Sequence, residues 1–269
     1  MKINVALIQM DPRAGQLSQN RAKAEELIRR AMAQENRPDL ILLPETWTAA
    51  YEPGSDLKQQ AASNAESTDG ESILLLRSLA KEYGVWIAGG SITLKTPEEQ
   101  RAYNAMFLID RQGEVVEQYR KIHLCGWVHE DDVFAPGDRA VTIPTEIGTL
   151  GLIICYDVRF SELVRINALA GTEILLVPAC FSTSLTHWRQ MLLARAIENQ
   201  MFVLGCNCTG SDHVAHSMII APDGEVLAEA GMEEVILTAQ LDLSKLDETR
   251  KAVKYLDDRR PDIYAKYSI

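Results

Sequence analysis

Short unbroken apolar runs alternate along this chain with stretches in which apolar residues recur every three or four positions, and the alternation goes round twice. Runs of the first kind, rich in Ile, Val and Leu, have the length of strands covered on both faces. Spacing of the second kind lays one apolar stripe along a helix. Residues 3–9 read as a strand, and Asn20 stands where a cap would open a helix with the stripe Ala24, Leu27, Ile28 and Ala31. Residues 40–43 form an apolar strand stopped by Pro44, 72–83 a helix closed by Gly84, and 85–92 the next strand. Residues 102–109 and 114–123, on either side of Asp110-Arg111-Gln112-Gly113, have the pattern of an antiparallel hairpin.

The order then recurs. Residues 150–155 read as a strand, and Ser161 caps a helix carrying Leu163, Ile166 and Leu169 that ends at Gly171. A strand at 174–180, a long helix at 185–199 and a strand at 201–206 follow, then a hairpin over 216–228 turning at Pro222-Asp223-Gly224 and a half-buried strand at 235–241. No Ser/Gly-rich linker separates domains, so residues 1–243 read as one α/β domain. Residues 244–269, helical at first and then charged, read as an arm of that domain, at the surface or against a partner subunit. Two α/β halves stacked sheet to sheet would cover every apolar strand on both faces, which predicts a four-layer α-β-β-α sandwich.

Composition narrows the partners. The 269 residues carry 27 Lys and Arg against 38 Asp and Glu, a net charge of −11, which argues against nucleic acid or an anionic membrane as partner. The amino-terminal apolar stretch is short and interrupted by Asn4 and Gln9, too polar for a signal core or a membrane span, so a soluble protein is expected. Five scattered cysteines make a poor disulfide framework, which points to reduced thiols and a cytoplasmic location.

Cys155 is the most informative position. It ends an apolar strand and leads through Tyr156-Asp157-Val158-Arg159-Phe160 into a helix, and ligands of α/β sheets bind at such strand ends. A thiol exposed there, near backbone N–H groups and a helix start, would have a lowered pKa. Taken alone, a cysteine is more often core. Glu45 follows another apolar strand and Pro44; alone it reads as a loop acid. Lys121 lies at the end of the hairpin beside Arg120, and Glu130 follows nine residues later; each is bland by itself. Together, Glu, Lys and Cys at three strand ends supply base, cation and nucleophile without a histidine.

These motifs resemble those of the nitrilase superfamily of carbon–nitrogen hydrolases. Leu-Pro-Glu places Glu45, Arg-Lys-Ile-His-Leu places Lys121, and Cys-Tyr-Asp-Val-Arg-Phe places Cys155. Glu130 ahead of Phe134-Ala135-Pro136-Gly137-Asp138, and His187-Trp188 leading to residues 194–200, extend the likeness from Ile3 to Tyr264. One motif departs: the family usually has Gly-His-Ser where this chain has Ala215-His216-Ser217, which costs backbone freedom. The likeness is nearest to the ω-amidase-like branch, since nitrilases proper more often carry Cys-Trp-Glu at the nucleophile.

The resemblance implies hydrolysis of a small carboxylate-bearing amide through a Cys155 thioester, with release of ammonia and no cofactor. Glu45 would be the base, Lys121 and the Tyr156 N–H would hold the oxyanion, and Glu130 would orient Lys121 or the substrate amide. Tyr51, Trp127 and Phe181 are the expected acyl-pocket residues. Arg159 and Arg195 are candidates for a substrate carboxylate, against internal pairing with Asp157 or Glu198. A homodimer or higher homo-oligomer is expected, with the 185–199 helix and the arm as contacts. Other readings are an N-carbamoyl amino acid amidohydrolase, a nitrilase, or an idle scaffold of the same fold. A metal site from His123, Cys125 and His129, or from Cys206 and Cys208, lacks the paired spacing of structural zinc. Gly89-Gly90 lacks the pattern of a phosphate loop, and Trp188, Met191, Leu192 and Ala196 read as core.

Overall fold

The computed structural model describes residues 1–50, 56–210 and 213–267. The first half runs β1 (Lys2–Gln9), α1 (Leu17–Met32), β2 (Leu40–Leu42), α2 (Leu57–Asn64), α3 (Glu71–Tyr83), β3 (Trp86–Ala88), β4 (Ile92–Leu94), β5 (Tyr103–Ile109) and β6 (Val115–Arg120). Past α4 (Glu130–Val133), the second half runs β7 (Val141–Thr145), β8 (Gly148–Leu152), α5 (Ser161–Leu169), β9 (Ile174–Ala179), α6 (Leu185–Asn199) and β10 (Phe202–Asn207). It continues through β11 (Met218–Ile220), β12 (Val226–Glu229) and β13 (Val235–Asp242) to α7 (Ser244–Ala252) and α8 (Pro261–Tyr264).

One sheet takes the order β13-β1-β2-β3-β5-β4, with β6 paired to β5; the other takes β12-β11-β10-β9-β8-β7. Alternation along each strand dictates the layers. Val5 and Leu7 of β1 point between the sheets, where they meet Leu152, Leu176 and Leu204 of the second sheet. Ala6 and Ile8 point outward and are covered by Leu27 and Ile28 of α1 and Leu76 of α3. In the second sheet Leu175 and Val177 face outward against Leu163 of α5 and Trp188 and Leu192 of α6. The fold is therefore the expected four-layer α-β-β-α sandwich. Each fully buried Leu in it contributes about 1.5–3 kcal/mol, so the core is ample to hold loops in strained shapes at the strand ends. Among the described residues, no helix is long and apolar enough to cross a membrane.

Three expectations about elements fail, each for a physical reason. Asn20 does not cap α1, which begins at Leu17. It lies buried inside the helix, where Nδ2 donates to the Arg13 carbonyl at 2.7 Å and the Thr48 carbonyl at 2.9 Å, tying two loops together. The strand at 85–92 is broken into β3 and β4 by Gly89-Gly90, because Gly90 takes φ +58 and a Cβ there would sit 2.0 Å from the Pro44 carbonyl. Finally, α5 has Phe160, not Ser161, at its N-cap.

Candidate active site

The Gly90 contact shapes the loop that follows β2. Ser91 N donates to the Pro44 carbonyl at 3.1 Å, and Thr46 N donates to Ser91 Oγ at 3.0 Å. Thr46 is held at φ 46, a left-handed conformation costly for a β-branched residue. The turn carries Glu45 into the molecule, 4% exposed. Its Oε1 accepts from Lys121 Nζ and from Asn104 Nδ2, both at 2.8 Å, and its Oε2 accepts from Cys180 N at 2.8 Å.

Lys121 follows β6 directly, fixed by its N–H to the Asn104 carbonyl at 2.9 Å, and its side chain is 2% exposed. Its ammonium lies 2.8–2.9 Å from both carboxylate oxygens of Glu130 as well as 2.8 Å from Glu45. Glu130 opens α4 and also accepts from Cys125 N at 2.7 Å. Cys155 sits past β8 in a 3₁₀ turn spanning Cys155–Arg159, at φ 44, with its thiol beside the Glu45 carboxyl. The structure thus brings Glu45, Lys121, Glu130 and Cys155 together at the floor of one cavity.

The charges in this cluster follow from burial and pairing. Burial works against the Glu45 carboxylate, but Lys121 and hydrogen bonds from Cys155 and Cys180 outweigh it and hold its pKa below the usual 4.5. Burial likewise opposes the Lys121 charge, yet Glu130 and Glu45 keep its pKa well above 10.5. Glu130 goes the other way: burial, with Glu45 nearby, raises it despite Lys121. The expectation of a lowered Cys155 pKa is overturned. The half-buried thiol sits in a closed part of the cavity, and burial and the Glu45 charge push it well above 9.0 against the pull of Lys121. At neutral pH the proton therefore rests on sulfur, with an ionised acceptor beside it.

Of the expected pocket residues, Tyr156, Arg159, Phe181 and Trp127 line the cavity, while Tyr51 falls outside the described residues. Trp127 stands at the rim, 76% exposed. Arg195 is spent inside the protein, on Glu198 at 2.7 Å and the Val158 carbonyl at 2.9 Å. Arg159 is different. Its guanidinium lies over the Phe181 ring at 4.8 Å and donates to Thr183 Oγ1 at 3.2 Å, and its buried Nε has no hydrogen-bond partner among the described residues.

Asp157 pairs with neither arginine. Fully buried, it accepts from Ile154 N at 3.0 Å, Tyr119 Oη at 2.7 Å and both His123 N and Nδ1, at 2.9 and 2.8 Å. It thereby staples the segment carrying Lys121 to the turn carrying Cys155. Sequence reasoning passed over this role, and those of Asn104 and Cys180, because each depends on partners far away along the chain. The position of Asp157 two residues past Cys155 was the available signal. Ala215 takes φ 49, so this chain pays in strain where the family's glycine would not. The metal-site residues are employed elsewhere: His123 on Asp157, and Cys206 between the sheets on the Ile8 and Leu42 carbonyls. Among the described residues no cluster of His, Cys, Asp and Glu is arranged to hold a metal ion.

Comparison with known proteins agrees with the geometry. The carbon–nitrogen hydrolase family model matches residues 4–251. A 2-oxoglutaramate amidase of Bacillus subtilis is 35% identical, the match covering 98% of this chain and all of that one. Saccharomyces cerevisiae Nit3, a member of branch 10 of the nitrilase superfamily, superposes with a TM-score of 0.88 at 31% identity, over 96% of this chain and 97% of the other. A mutant amidase from Nesterenkonia sp. AN1, with the acetamide moiety of fluoroacetamide bound covalently at its active-site cysteine, gives a TM-score of 0.81 at 26% identity, over 98% and 96%. With its two-sheet fold and its Glu45-Lys121-Cys155 cluster, this chain belongs to the carbon–nitrogen hydrolase family.

Proposed function

We propose that the protein is an amidase that hydrolyses the terminal amide of a small carboxylic acid and releases ammonia through a thioester on Cys155. The observation that carries this reading is the Glu45 carboxylate, bonded to the Lys121 ammonium and set beside the Cys155 thiol. The thiol gives its proton to Glu45 as sulfur attacks the amide carbon. Lys121 and the Tyr156 N–H hold the oxygen that gains charge. As the C–N bond breaks, Glu45 returns the proton to the leaving nitrogen. Glu45 then deprotonates a water that cleaves the thioester, restoring the thiol and freeing the acid. Glu130 fixes the Lys121 ammonium in position. No step calls for a cofactor.

Arg159 supplies the substrate class. An incompletely partnered guanidinium beside the nucleophile's turn, in a protein of net charge −11, gives a carboxylate a local attractive point. Tyr156, Trp127 and Phe181 wall the space between, and the 2-oxoglutaramate amidase and Nit3 likenesses favour the same class. Ammonia release from 2-oxoglutaramate and succinamate, set against propionamide, an N-carbamoyl amino acid and a nitrile, tests the reading. Turnover of the ω-amide acids that vanishes in Cys155→Ala supports it. Negligible release by both proteins leaves the scaffold reading.

Residues 1–243 form the catalytic domain in this reading and residues 244–269 its arm. Exposed Ile166, Leu169 and Ile197 on α5 and α6, with Tyr255, Tyr264 and Tyr267 on the arm, support burial in a homodimer or larger homo-oligomer. All five cysteines are free thiols, which fits a cytoplasmic enzyme. Sedimentation that yields only the 30.0 kDa monomer would overturn the oligomer.

A further inference from the structure

A second sulfur chemistry is built into the same cavity wall. β9 and β10 are parallel neighbours in register to their last residues, Ala179 beside Asn207, and Cys208 N donates to the Ala179 carbonyl at 3.0 Å. The next residue on each strand is a cysteine, Cys180 and Cys208. Adjacent strands lie about 4.8 Å apart, inside the Cα window of about 4.4–6.8 Å that a disulfide spans. Both side chains point the same way. Each sulfur lies against the Glu45 carbonyl, Cys180 at 3.0 Å and Cys208 at 3.4 Å, which makes the two sulfurs neighbours. Cys180 lines the cavity, whereas Cys208 is fully buried behind it. Cys206, two residues earlier, faces the opposite way between the sheets and has no path to an oxidant.

The geometry points to Cys180 and Cys208 as a redox modification site: a peroxide entering the substrate cavity converts the pair to a disulfide that disarms Glu45. Reactivity agrees with position. Burial works against a Cys180 thiolate, but the Cys208 hydrogen bond and the His213 imidazole outweigh it and bring the thiol down to about 6. The Cys180 thiolate attacks one peroxide oxygen, the O–O bond breaks, and the departing hydroxide takes a proton to leave as water. Cys208 sulfur then attacks the sulfenic acid, the S–O bond breaks, a second water leaves, and the S–S bond forms. Sulfur gives up two electrons in all, and the peroxide gains them. The Cys208 S–H donor to the Glu45 carbonyl is lost in the process, and the Cys180 N–H that holds Glu45 Oε2 is carried along with the new bond.

The inhibitory half of this proposal rests on the amidase reading; the disulfide does not, so the test separates them. Full-length Cys155→Ser protein is treated with hydrogen peroxide, its remaining thiols are alkylated, and its peptides are mapped by mass. Most of the Cys180 peptide should appear joined to the Cys208 peptide, lighter by two hydrogens and released by dithiothreitol, while Cys206 stays alkylatable. Cys180 recovered as free thiol, overoxidised without the link, or joined to another cysteine overturns the proposal. Wild-type protein mapped the same way guards against a folding defect in the variant. On wild type with an ω-amide substrate, most activity should fall with the link and return with dithiothreitol. A link that forms while turnover is unchanged overturns the inhibitory half.

Discussion

Cys155 and Cys180 follow neighbouring parallel strands, β8 and β9, face one cavity and both touch Glu45, yet they are tuned in opposite directions. Cys155 meets the carboxylate end of Glu45, where burial and negative charge hold its proton in place. Cys180 meets the Glu45 carbonyl, with Cys208 and His213 on its other side, and loses its proton near neutrality. The strand end alone therefore sets nothing; the Glu45 charge raises both thiols, and only Cys180 has Cys208 and His213 beside it to bring it down. A resting thiol beside an ionised base suits a nucleophile that must be created only when an amide is in place. A resting thiolate suits a sensor.

The largest effect separates the two thiols by function. Cys155→Ala should lower kcat/KM for an ω-amide substrate by at least about 10⁴-fold, as expected for a lost nucleophile, with the fold intact by circular dichroism. Glu45→Gln comes next. Gln keeps the shape but accepts no proton, so turnover should fall by roughly 10³-fold, within the range for general base catalysis. The wild-type pH profile carries the same signature. Activity needs Glu45 ionised and the Cys155 proton present, so the acid limb lies below pH 4.5 and the alkaline limb above pH 9.0. A limb near pH 6 would assign the nucleophile's pKa to the wrong sulfur.

A third measurement reads both sulfurs together. Methyl methanethiosulfonate carries no amide and so does not mimic substrate. At pH 7 a thiol at about 6 is mostly thiolate, while one well above 9.0 is less than about 1% ionised. Mass mapping should show Cys180 modified on the order of 10²-fold faster than Cys155, with a rate that rises as pH climbs through about 6 and then levels off. Equal rates would erase the distinction.

Much of this arrangement was legible in the pattern of residues, and what was not has physical causes. Unbroken apolar runs identify β1, β2, β9 and β10 because strands buried on both faces tolerate little else. β7 escaped notice: Pro144 and two threonines break any apolar run there, yet an edge strand accepts a proline whose missing N–H needs no partner. Glu45, Lys121 and Cys155 emerged through local motifs at strand ends. Asn104, Asp157 and Cys180 did not, since their value lies in contacts across 59, 38 and 135 positions of chain. Cys180 even shares the signature of Cys155, an apolar strand closing on a cysteine, and only the partners supplied by folding tell the two apart.

Asp157 offers the smallest and finest test of that last point, because it acts on the Cys155 side alone. It holds the Cys155 turn through Ile154 N and the Lys121 segment through Tyr119 and His123, and none of these hydrogen bonds reaches Cys180. Burial and the Asp157 charge push the Tyr119 pKa far up, so the phenol remains a donor throughout the working pH range. In Asp157→Asn the amide keeps one acceptor oxygen but turns its NH₂ either toward Tyr119 Oη and Ile154 N, which share Oδ2, or toward His123 N and Nδ1, which share Oδ1, so a backbone N–H faces a donor either way. That mismatch should cost about 1–3 kcal/mol of stability. A small displacement of Cys155 from Lys121 weakens contacts made only in the transition state, so kcat should drop by about 10-fold with KM little changed. The rate of Cys180 modification should not move. If it slows in step with kcat, the staple is merely part of a general loosening; if it holds while kcat falls, Asp157 positions the nucleophile and the two sulfurs are independently controlled.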